Sequence, residues 1–297
     1  MHDDPAGMDR ALEFIAQDPP TREEGLEGLR RWIDGLGRGA TMPGSVTQAR
    51  ERIGAVPCLR YSPRQVLSAG AIVYLHGGAY VAGSHRSHGP LAAMLAEAAG
   101  MDVVFPEYRL APEHPFPAAL DDARAVYGAL ASGGRKIAVA GDSAGGGLAL
   151  SLARTLIDAG MTAPRCLAVL SPWVDLALSA PVARDPDADD PLLTVEALTV
   201  SASLYSGDRA LAHPAISPLY MDMSGMPPVQ VMVGERERLI ADARAIAARL
   251  EADGAAVDFR EWPGMIHVWP LFARFLPEGG QAIAAMGGFI RAHMPAR

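Results

Sequence analysis

The sequence predicts an α/β fold with a mostly parallel central sheet and helices on both faces. Short apolar runs typical of buried strands alternate with longer segments of helical periodicity between residues 56 and 293. Hydroxyl, imidazole and carboxylate side chains follow several of these runs closely. Parallel sheets place their functional sites at the carboxyl ends of the strands. The 297 residues, 49% hydrophobic and 20% charged, suffice for one large α/β domain or two small ones.

The elements follow in chain order from periodicity and from helix-breaking residues. Apolar residues at helical spacing predict helical structure from 8 to 36, with a capping-box pattern at Thr21 and Glu24. This segment precedes every predicted strand, so it forms either a lid or a helix packed on the domain. Proline-rich 106–117 and segment 179–191 are predicted as loops. Strands are predicted at 56–61, 71–75, 102–105, 137–140, 166–170, 229–233 and 257–262, and further helices at 88–99, 118–131, 148–157, 194–205, 240–252 and 282–293.

The most informative motif is G-D-S-A-G at 141–145, between a predicted buried strand and a predicted helix. A strand that turns directly into a helix strains the residue at its apex and requires small neighbours. The apex residue is Ser143, whose hydroxyl is expected to stand above the sheet edge at a helix N-terminus. The motif is typical of a nucleophile elbow, although an ordinary serine in a tight turn also fits the pentapeptide alone.

A serine nucleophile needs a base, and the base needs a carboxylate that orients it. His267 is the predicted base, because it follows the last predicted strand closely. Three carboxylates follow the strand at 229–233. Glu237 is preferred over Glu235 for its position in the loop after that strand. Asp242 is the alternative acid, and it also fits a charge at a helix N-terminus.

The segment His76-Gly77-Gly78 ends a predicted strand and opens a loop. Glycines there let backbone N–H groups point into a cavity at close range. The N–H groups of Gly77 and Gly78, together with that of Ala144 after the nucleophile, are therefore predicted to form an oxyanion hole. We interpret His76 as a residue that orients this loop rather than as a second base.

Other functional classes find little support in the sequence. A net charge of −8 without a basic run argues against nucleic-acid binding. His85 and His88 have the spacing of a metal pair, but no further ligand cluster accompanies them, so we expect no metal. Gly145–Gly147 lacks the residues of a phosphate-binding loop, and we expect no cofactor. The acidic N-terminus and the lack of a long apolar run predict a cytoplasmic protein without a membrane span.

Five segments match the motifs of one known family. They are YLHGGAYVAGSHRSH (74–88), PEYRLAPEHPFPAALDDA (106–123), GDSAGG (141–146), SPWVDL (171–176) and GMIHVW (264–269). In these motifs and their order, the chain resembles the bacterial hormone-sensitive-lipase-like esterases, the family IV carboxylesterases of the α/β-hydrolase fold. The resemblance implies a triad of Ser143, His267 and an acid, with an oxyanion hole from Gly77, Gly78 and Ala144.

The resemblance also implies a helical cap over the α/β-hydrolase domain. On that basis residues 1–45 are cap helices, and 46–297 form the catalytic domain with an inserted cap segment at 179–215. The expected function is a serine carboxylesterase acting on short- to medium-chain small-molecule esters, in a homodimer. Lactone or amide hydrolysis by the same triad, and ligand binding without catalysis, are the alternatives. The candidate pocket residues are Tyr80, Trp173, Leu204, Tyr205, Ile266 and Val268.

The chain departs from the family pattern at two places. The oxyanion loop of the family is usually HGGG, and here Ala79 stands at its fourth position. An alanine here leaves the oxyanion loop unaffected if it keeps an ordinary backbone conformation. Its methyl group can also narrow the pocket. The family acid is usually an aspartate in D-P-L-x-D, whereas this chain has E-R-L-I-A-D from Glu237 to Asp242.

Overall fold

A computed structural model describes residues 5–185 and 188–294. The strands in these ranges are β1 (Val46–Ile53), β2 (Val56–Pro63), β3 (Ala71–Leu75), β4 (Asp102–Pro106), β5 (Ile137–Asp142), β6 (Leu167–Leu170), β7 (Val229–Gly234) and β8 (Val257–Trp262). They form one sheet in the order β1-β2-β4-β3-β5-β6-β7-β8. The pairs β1–β2 and β2–β4 are antiparallel, and the others are parallel. The predicted mostly parallel sheet is thus confirmed.

Helices cover both faces of the sheet. They are α1 (Pro5–Ile15), α2 (Gly25–Leu36), α3 (His85–Ala99), α4 (Ala118–Ala131), α5 (Ala144–Asp158), α6 (Pro181–Arg184), α7 (Val195–Ser206), α8 (Ile240–Ala252) and α9 (Pro277–His293). One face packs against α3 and α9, and the other against α4, α5 and α8. In the part of the chain described here, no helix is both long enough and apolar enough to cross a bilayer.

The central strands are buried along their whole length, because helices cover them on both sides. Every residue of β3, β5, β6 and β7 is buried. Fully burying a valine or leucine side chain stabilises the fold by about 1.5–3 kcal/mol, so these strands anchor the sheet. Cys58 and Cys166 are free thiols within the core, and burial raises the pKa of each to about 12.

The fold differs from the predicted elements at three points. The helical stretch at 8–36 is two helices, α1 and α2, separated by a turn that contains Pro19 and Pro20. Thr21 and Glu24 hydrogen-bond to each other as a capping box would, but within this turn, before α2 begins. The antiparallel edge strand β1 was not predicted, because most of its side chains are exposed and no alternating apolar pattern marks it. The predicted loop at 179–191 contains the short helix α6.

The parallel topology brings five loops to one edge of the sheet. The loops after β3, β5, β6, β7 and β8 carry His76, Ser143, Ser171, Glu237 and His267 in that order. Side chains of α2 and α7 lie over the same edge and line a cavity together with Ser143 and His267. The candidate site therefore lies between a floor formed by the sheet loops and a cover formed by helices.

Candidate active site

Ser143 stands at the apex of the turn between β5 and α5, as the motif predicts. Its backbone has φ 51° and ψ −123°, a strained combination for a residue with a side chain. The strain is held by hydrogen bonds, since the Ser143 N–H donates to the Leu170 carbonyl at 2.9 Å. Only glycine fits at 145, because a Cβ there would lie 2.0 Å from the carbonyl oxygen of Leu75. The local sequence thus fixes Ser143 at the apex of this tight turn.

Ser143, His267 and Glu237 form a continuous chain of hydrogen bonds. The Oγ atom of Ser143 lies 3.0 Å from Nε2 of His267, and Nδ1 of His267 lies 2.8 Å from Oε2 of Glu237. Because a carboxylate accepts, Nδ1–H donates to Glu237 and Nε2 is left to accept the serine proton. All three side chains are buried, with relative exposures of 6%, 4% and 2%.

The second oxygen of Glu237 is fixed by two further donors. Its Oε1 accepts from the Gly234 N–H at 2.6 Å and from the Ser171 hydroxyl at 2.6 Å. Ser171 in turn accepts from the Val268 N–H at 3.2 Å, so it joins the acid loop to the histidine loop. Sequence reasoning missed Ser171, although it begins the SPWVDL motif directly after β6.

The charge state of the pair follows from burial and hydrogen bonding. Burial raises the pKa of Glu237 above its ordinary value, against the opposing effect of its three donors. For His267, burial disfavours the charged imidazolium. The hydrogen bond and charge of Glu237 outweigh this effect, and the pKa of His267 is raised. Glu237 thus favours the protonated form of His267.

The other two candidate acids lie elsewhere. Oδ2 of Asp242 accepts from the N–H groups of Val174 and Asp175, each at 2.9 Å, and burial raises the pKa of Asp242 to about 7. Asp242 therefore fastens the SPWVDL loop to α8 and does not bond His267. Glu235 accepts from the Gly264 N–H at 3.0 Å near the surface.

The glycine loop after β3 passes close beside the nucleophile. A Cβ at Gly77 would lie 2.2 Å from Oδ2 of Asp142, so this close approach requires glycine. Within the described residues, the N–H groups of Gly77, Gly78 and Ala144 have no protein acceptor. Ala79 does not keep an ordinary conformation: its φ is 54°, in the region that favours glycine, and it lines the cavity.

His76 is packed beneath the glycine loop. It donates from Nδ1 to the Gly77 carbonyl at 2.7 Å and stacks on Tyr108, with ring centroids 4.2 Å apart. Burial, with a smaller contribution from the nearby His88, lowers the pKa of His76 to about 3, so the ring is neutral. These contacts fit the predicted role of His76 in orienting the loop.

The two histidines considered as a metal pair have separate partners. Nδ1 of His85 is bonded to Oε1 of Glu107. Nε2 of His88 lies 3.1 Å from Oδ2 of Asp142, whose other oxygen accepts from the Tyr74 hydroxyl at 2.6 Å. Burial opposes ionisation of Asp142, but His88 and Tyr74 outweigh it and lower the pKa of Asp142. Asp142 and His88 both border the cavity beside Ser143, which motif spacing did not reveal.

An apolar cavity leads to Ser143 and His267. It encloses about 730 Å³ of empty space, open mouth included. Of the six candidate pocket residues, Val268 lines it. Tyr80, Trp173, Leu204, Tyr205 and Ile266 do not; Tyr80, for example, stacks on Tyr205 with centroids 3.7 Å apart, inside the core. The apolar walls come from α2, the segment before and within α7, and the loop after β8: Leu29, Trp32, Ile33, Leu36, Leu192, Leu193, Ala197, Leu198 and Leu271.

Comparison with known proteins identifies the family of this chain. A family model described as the alpha/beta hydrolase fold matches residues 72–271. The chain belongs to the alpha/beta hydrolase family. The LipR protein of Mycobacterium tuberculosis is 39% identical over 277 residues, which cover 92% of this chain and 90% of LipR. An acetyl-hydrolase of Streptomyces hygroscopicus is 41% identical over 223 residues, or 74% of this chain and 75% of that protein.

Solved structures place this hydrolase within a narrower group. The crystal structure of an esterase from the bacterial hormone-sensitive lipase family superposes with a TM-score of 0.94 at 36% identity, covering 99% of this chain and 100% of that chain. EstE5, in crystals soaked with p-nitrophenyl butyrate, superposes with a TM-score of 0.90 at 31% identity and covers 98% and 99%. The predicted membership of the hormone-sensitive-lipase-like hydrolases is confirmed.

Proposed function

We propose that this hydrolase is a serine carboxylesterase with Ser143 as nucleophile, His267 as base and Glu237 as acid. The observation that carries the proposal is the unbroken hydrogen-bond chain from Ser143 through His267 to Glu237, with separations of 3.0 and 2.8 Å. Each residue follows a different strand at the same sheet edge. The esterases and acetyl-hydrolases among its relatives support the same class of reaction.

The reaction divides into acylation and deacylation. His267 takes the proton of Ser143 as its Oγ attacks the ester carbonyl, and the resulting imidazolium is stabilised by Glu237. The imidazolium then protonates the leaving alcohol, which leaves an acyl-enzyme on Ser143. Water, activated by His267 in the same way, hydrolyses the acyl-enzyme and restores the free serine. No step requires a cofactor.

The oxyanion of the tetrahedral intermediates is assigned to the N–H groups of Gly77, Gly78 and Ala144. They flank the nucleophile, and none of them donates to an acceptor among residues 5–185 and 188–294. One such donor contributes about 3 kcal/mol to transition-state stabilisation. Ala79 adopts a positive φ, which favours glycine, and it lines the cavity beside this loop.

The proposed substrates carry an acyl chain of short to medium length, as the family resemblance implies. Away from Ser143 and His267 the cavity walls are mostly apolar, with Asp142, His88 and Ser201 as polar exceptions, so they match alkyl groups better than charged or sugar substituents. We assign α1 and α2 within residues 1–45, together with the inserted segment 179–215, to a cap over the catalytic domain. A homodimer and a cytoplasmic location remain predictions from the sequence and the family.

Replacement of Ser143 by alanine tests the proposal. We expect hydrolysis of p-nitrophenyl butyrate by S143A to fall about ten-thousandfold or more, because the acyl-enzyme route is lost. S132A is the control, since Ser132 is exposed directly after α4 and its hydroxyl donates to the nearby Ala129 carbonyl. If the wild-type protein hydrolyses the ester no faster than S143A, the esterase proposal is wrong and ligand binding without catalysis takes its place.

A further inference from the structure

Arg238 is a buried arginine directly after the proposed triad acid. Its relative exposure is 3%, which is unusual for a guanidinium and requires that its donors be satisfied within the protein. It also stands where the family motif D-P-L-x-D has proline, since this chain reads E-R-L from Glu237. Arg238 is thus a departure of this chain that adjoins the site but takes no part in the triad.

The donors of Arg238 reach two stretches of the predicted inserted cap segment, residues 182–185 and 190–193. Nε donates to the Leu193 carbonyl at 3.1 Å, and the backbone N–H donates to Oδ2 of Asp190 at 2.9 Å. Nη1 donates to the Ala183 carbonyl at 3.4 Å and to that of Asp185. A proline at 238 would have neither the N–H nor the side-chain donors, so none of these bonds could form.

The second of these stretches, which Arg238 contacts through its Nε and its backbone N–H, belongs to one wall of the cavity. We call residues 188–198 the inserted wall. Oδ1 of Asp190 accepts from the N–H groups of Leu192 and Leu193, at 2.9 and 3.0 Å, so one carboxylate fixes the turn and bonds Arg238 as well. Leu192 and Leu193 line the cavity, as does Leu198 one helical turn into α7. The position of these leucines therefore depends on the contacts of residue 238.

We propose that Arg238 is a positioning residue for substrate selectivity, which holds the inserted wall against the acid loop so that longer acyl chains are bound. The proposal rests on the ester hydrolysis proposed above and adds to it the residue that sets chain-length preference. Acetyl groups end close to Ser143, whereas longer chains extend along Leu192 and Leu193. Loosening the wall therefore weakens hydrolysis of long-chain esters and leaves acetate hydrolysis nearly intact.

The test compares p-nitrophenyl hexanoate with p-nitrophenyl acetate in wild type, R238M, R238K and R244M. Methionine keeps the length of the apolar stem and removes every side-chain donor, and lysine keeps the charge without the planar fork. Arg244 is the matched control, because it lies on the adjoining helix α8 and bonds the surface residue Glu261 at 2.7 Å. Titration of reactive serines with an organophosphate corrects each rate for the fraction of folded sites.

We expect the hexanoate-to-acetate ratio of kcat/KM to fall about tenfold in R238M, the effect of weakened contact with an apolar pocket wall. R238K should lie between R238M and wild type, and R244M should equal wild type. The change should appear mainly in KM, since the wall touches no reacting atom. An unchanged or increased ratio in R238M, including an equal loss for both esters, overturns the proposal and leaves Arg238 with a purely structural role.

Hydrogen exchange provides a second readout that needs no turnover. Peptides from the inserted wall should exchange faster in R238M than in wild type, whereas peptides from α9 should exchange equally in both proteins. Equal exchange in the wall overturns the proposal even if the ester assay shows a change. Because exchange is measured without substrate, its outcome is separate from that of the S143A experiment, which tests the esterase function itself.

Discussion

The two sides of the cavity are held in place by different interactions. The floor, meaning the loops after β3, β5, β6, β7 and β8, carries Ser143, His267 and Glu237 and is fixed by backbone and buried side-chain hydrogen bonds. The cover, meaning α2 and the inserted wall, supplies apolar side chains and is joined to the floor through Arg30 and Arg238. Positive φ values of residues with side chains recur in the floor, as at Ser143 and Ser171.

From this difference we infer that, in the proposed esterase, reactivity and selectivity depend on separate parts of the molecule. Changes in the floor disturb groups that act on the reacting bond, so they remove interactions made in the transition state and lower kcat. Changes in the cover disturb contacts with substrate parts that do not react, so they act on KM and on preference among esters. Kinetic constants of variants in the floor and in the cover can therefore confirm or contradict this separation.

The largest effect after loss of the nucleophile is expected for E237Q in the floor. Glutamine keeps the shape of the side chain but does not stabilise the imidazolium, so kcat/KM should fall about a thousandfold. In wild type, the raised pKa of His267 predicts that kcat/KM is lost as the pH falls through a value above the ordinary 6.5, because only the neutral imidazole is a base. In E237Q burial dominates, and this acid limb should move to lower pH.

D242N is the matched comparison for the acid. It alters a buried carboxylate of the same region that bonds Val174 and Asp175 instead of His267. We expect D242N to have lower thermal stability than wild type, and the acid limb of its pH–rate profile to lie at the same pH as in wild type. A pH–rate profile in which D242N loses activity about a thousandfold while E237Q keeps it would assign the triad acid to Asp242.

A moderate effect is expected for S171A. The hydroxyl of Ser171 fixes Oε1 of Glu237 and the N–H of Val268, so its loss leaves the acid and histidine loops less well aligned. A hydrogen bond to a charged group contributes about 1.5–3 kcal/mol, which corresponds to a loss of about tenfold or more in kcat. The measurement is kcat for p-nitrophenyl butyrate beside that of S132A. An unchanged kcat would show that Gly234 alone suffices to hold Glu237.

The smallest effect is expected for R30M in the cover. Arg30 joins α2 to the loop after the oxyanion glycines: Nε donates to the Val81 carbonyl at 2.8 Å, and the guanidinium bonds Glu113 at 2.7 Å. The pair is partly exposed, so we expect KM to rise only about fivefold, with kcat unchanged. R22M, which breaks the exposed pair with Glu196, should leave both constants unchanged. A large fall in kcat for R30M would contradict the separation of floor and cover.

The positions of Ser143, Glu237 and His267 in the floor could be predicted from the sequence, because each has a chemistry-bearing side chain directly or shortly after a predicted strand. Ser143 is flanked by glycines at positions where a side chain would clash. Glu237 and His267 follow strands of the parallel part of the sheet. Ser171 could not be predicted in this way. A serine after a strand has no distinguishing pattern, and its role appears only when the loops after β6, β7 and β8 meet.

The cover was harder to predict, because its residues meet the floor through tertiary contacts rather than through local pattern. The large aromatic side chains Tyr80, Trp173 and Tyr205 were predicted as pocket walls, yet they are buried in the core. Trp32 and Leu193 line the cavity instead, on segments whose spacing in the sequence says only that they are apolar on one side. Arg238 lies among several charged residues, and only its burial distinguishes it from a surface arginine.

Covalent trapping with an organophosphate is the most direct test of whether Ser143 is the nucleophile. The protein is reacted with diethyl p-nitrophenyl phosphate, and both the released p-nitrophenolate and the modified peptide are measured. We expect one p-nitrophenolate per chain, a diethylphosphoryl group on Ser143, no reaction in S143A and a much slower reaction in E237Q. Modification of another residue, or an undiminished burst in S143A, would contradict the assignment of Ser143 as the nucleophile.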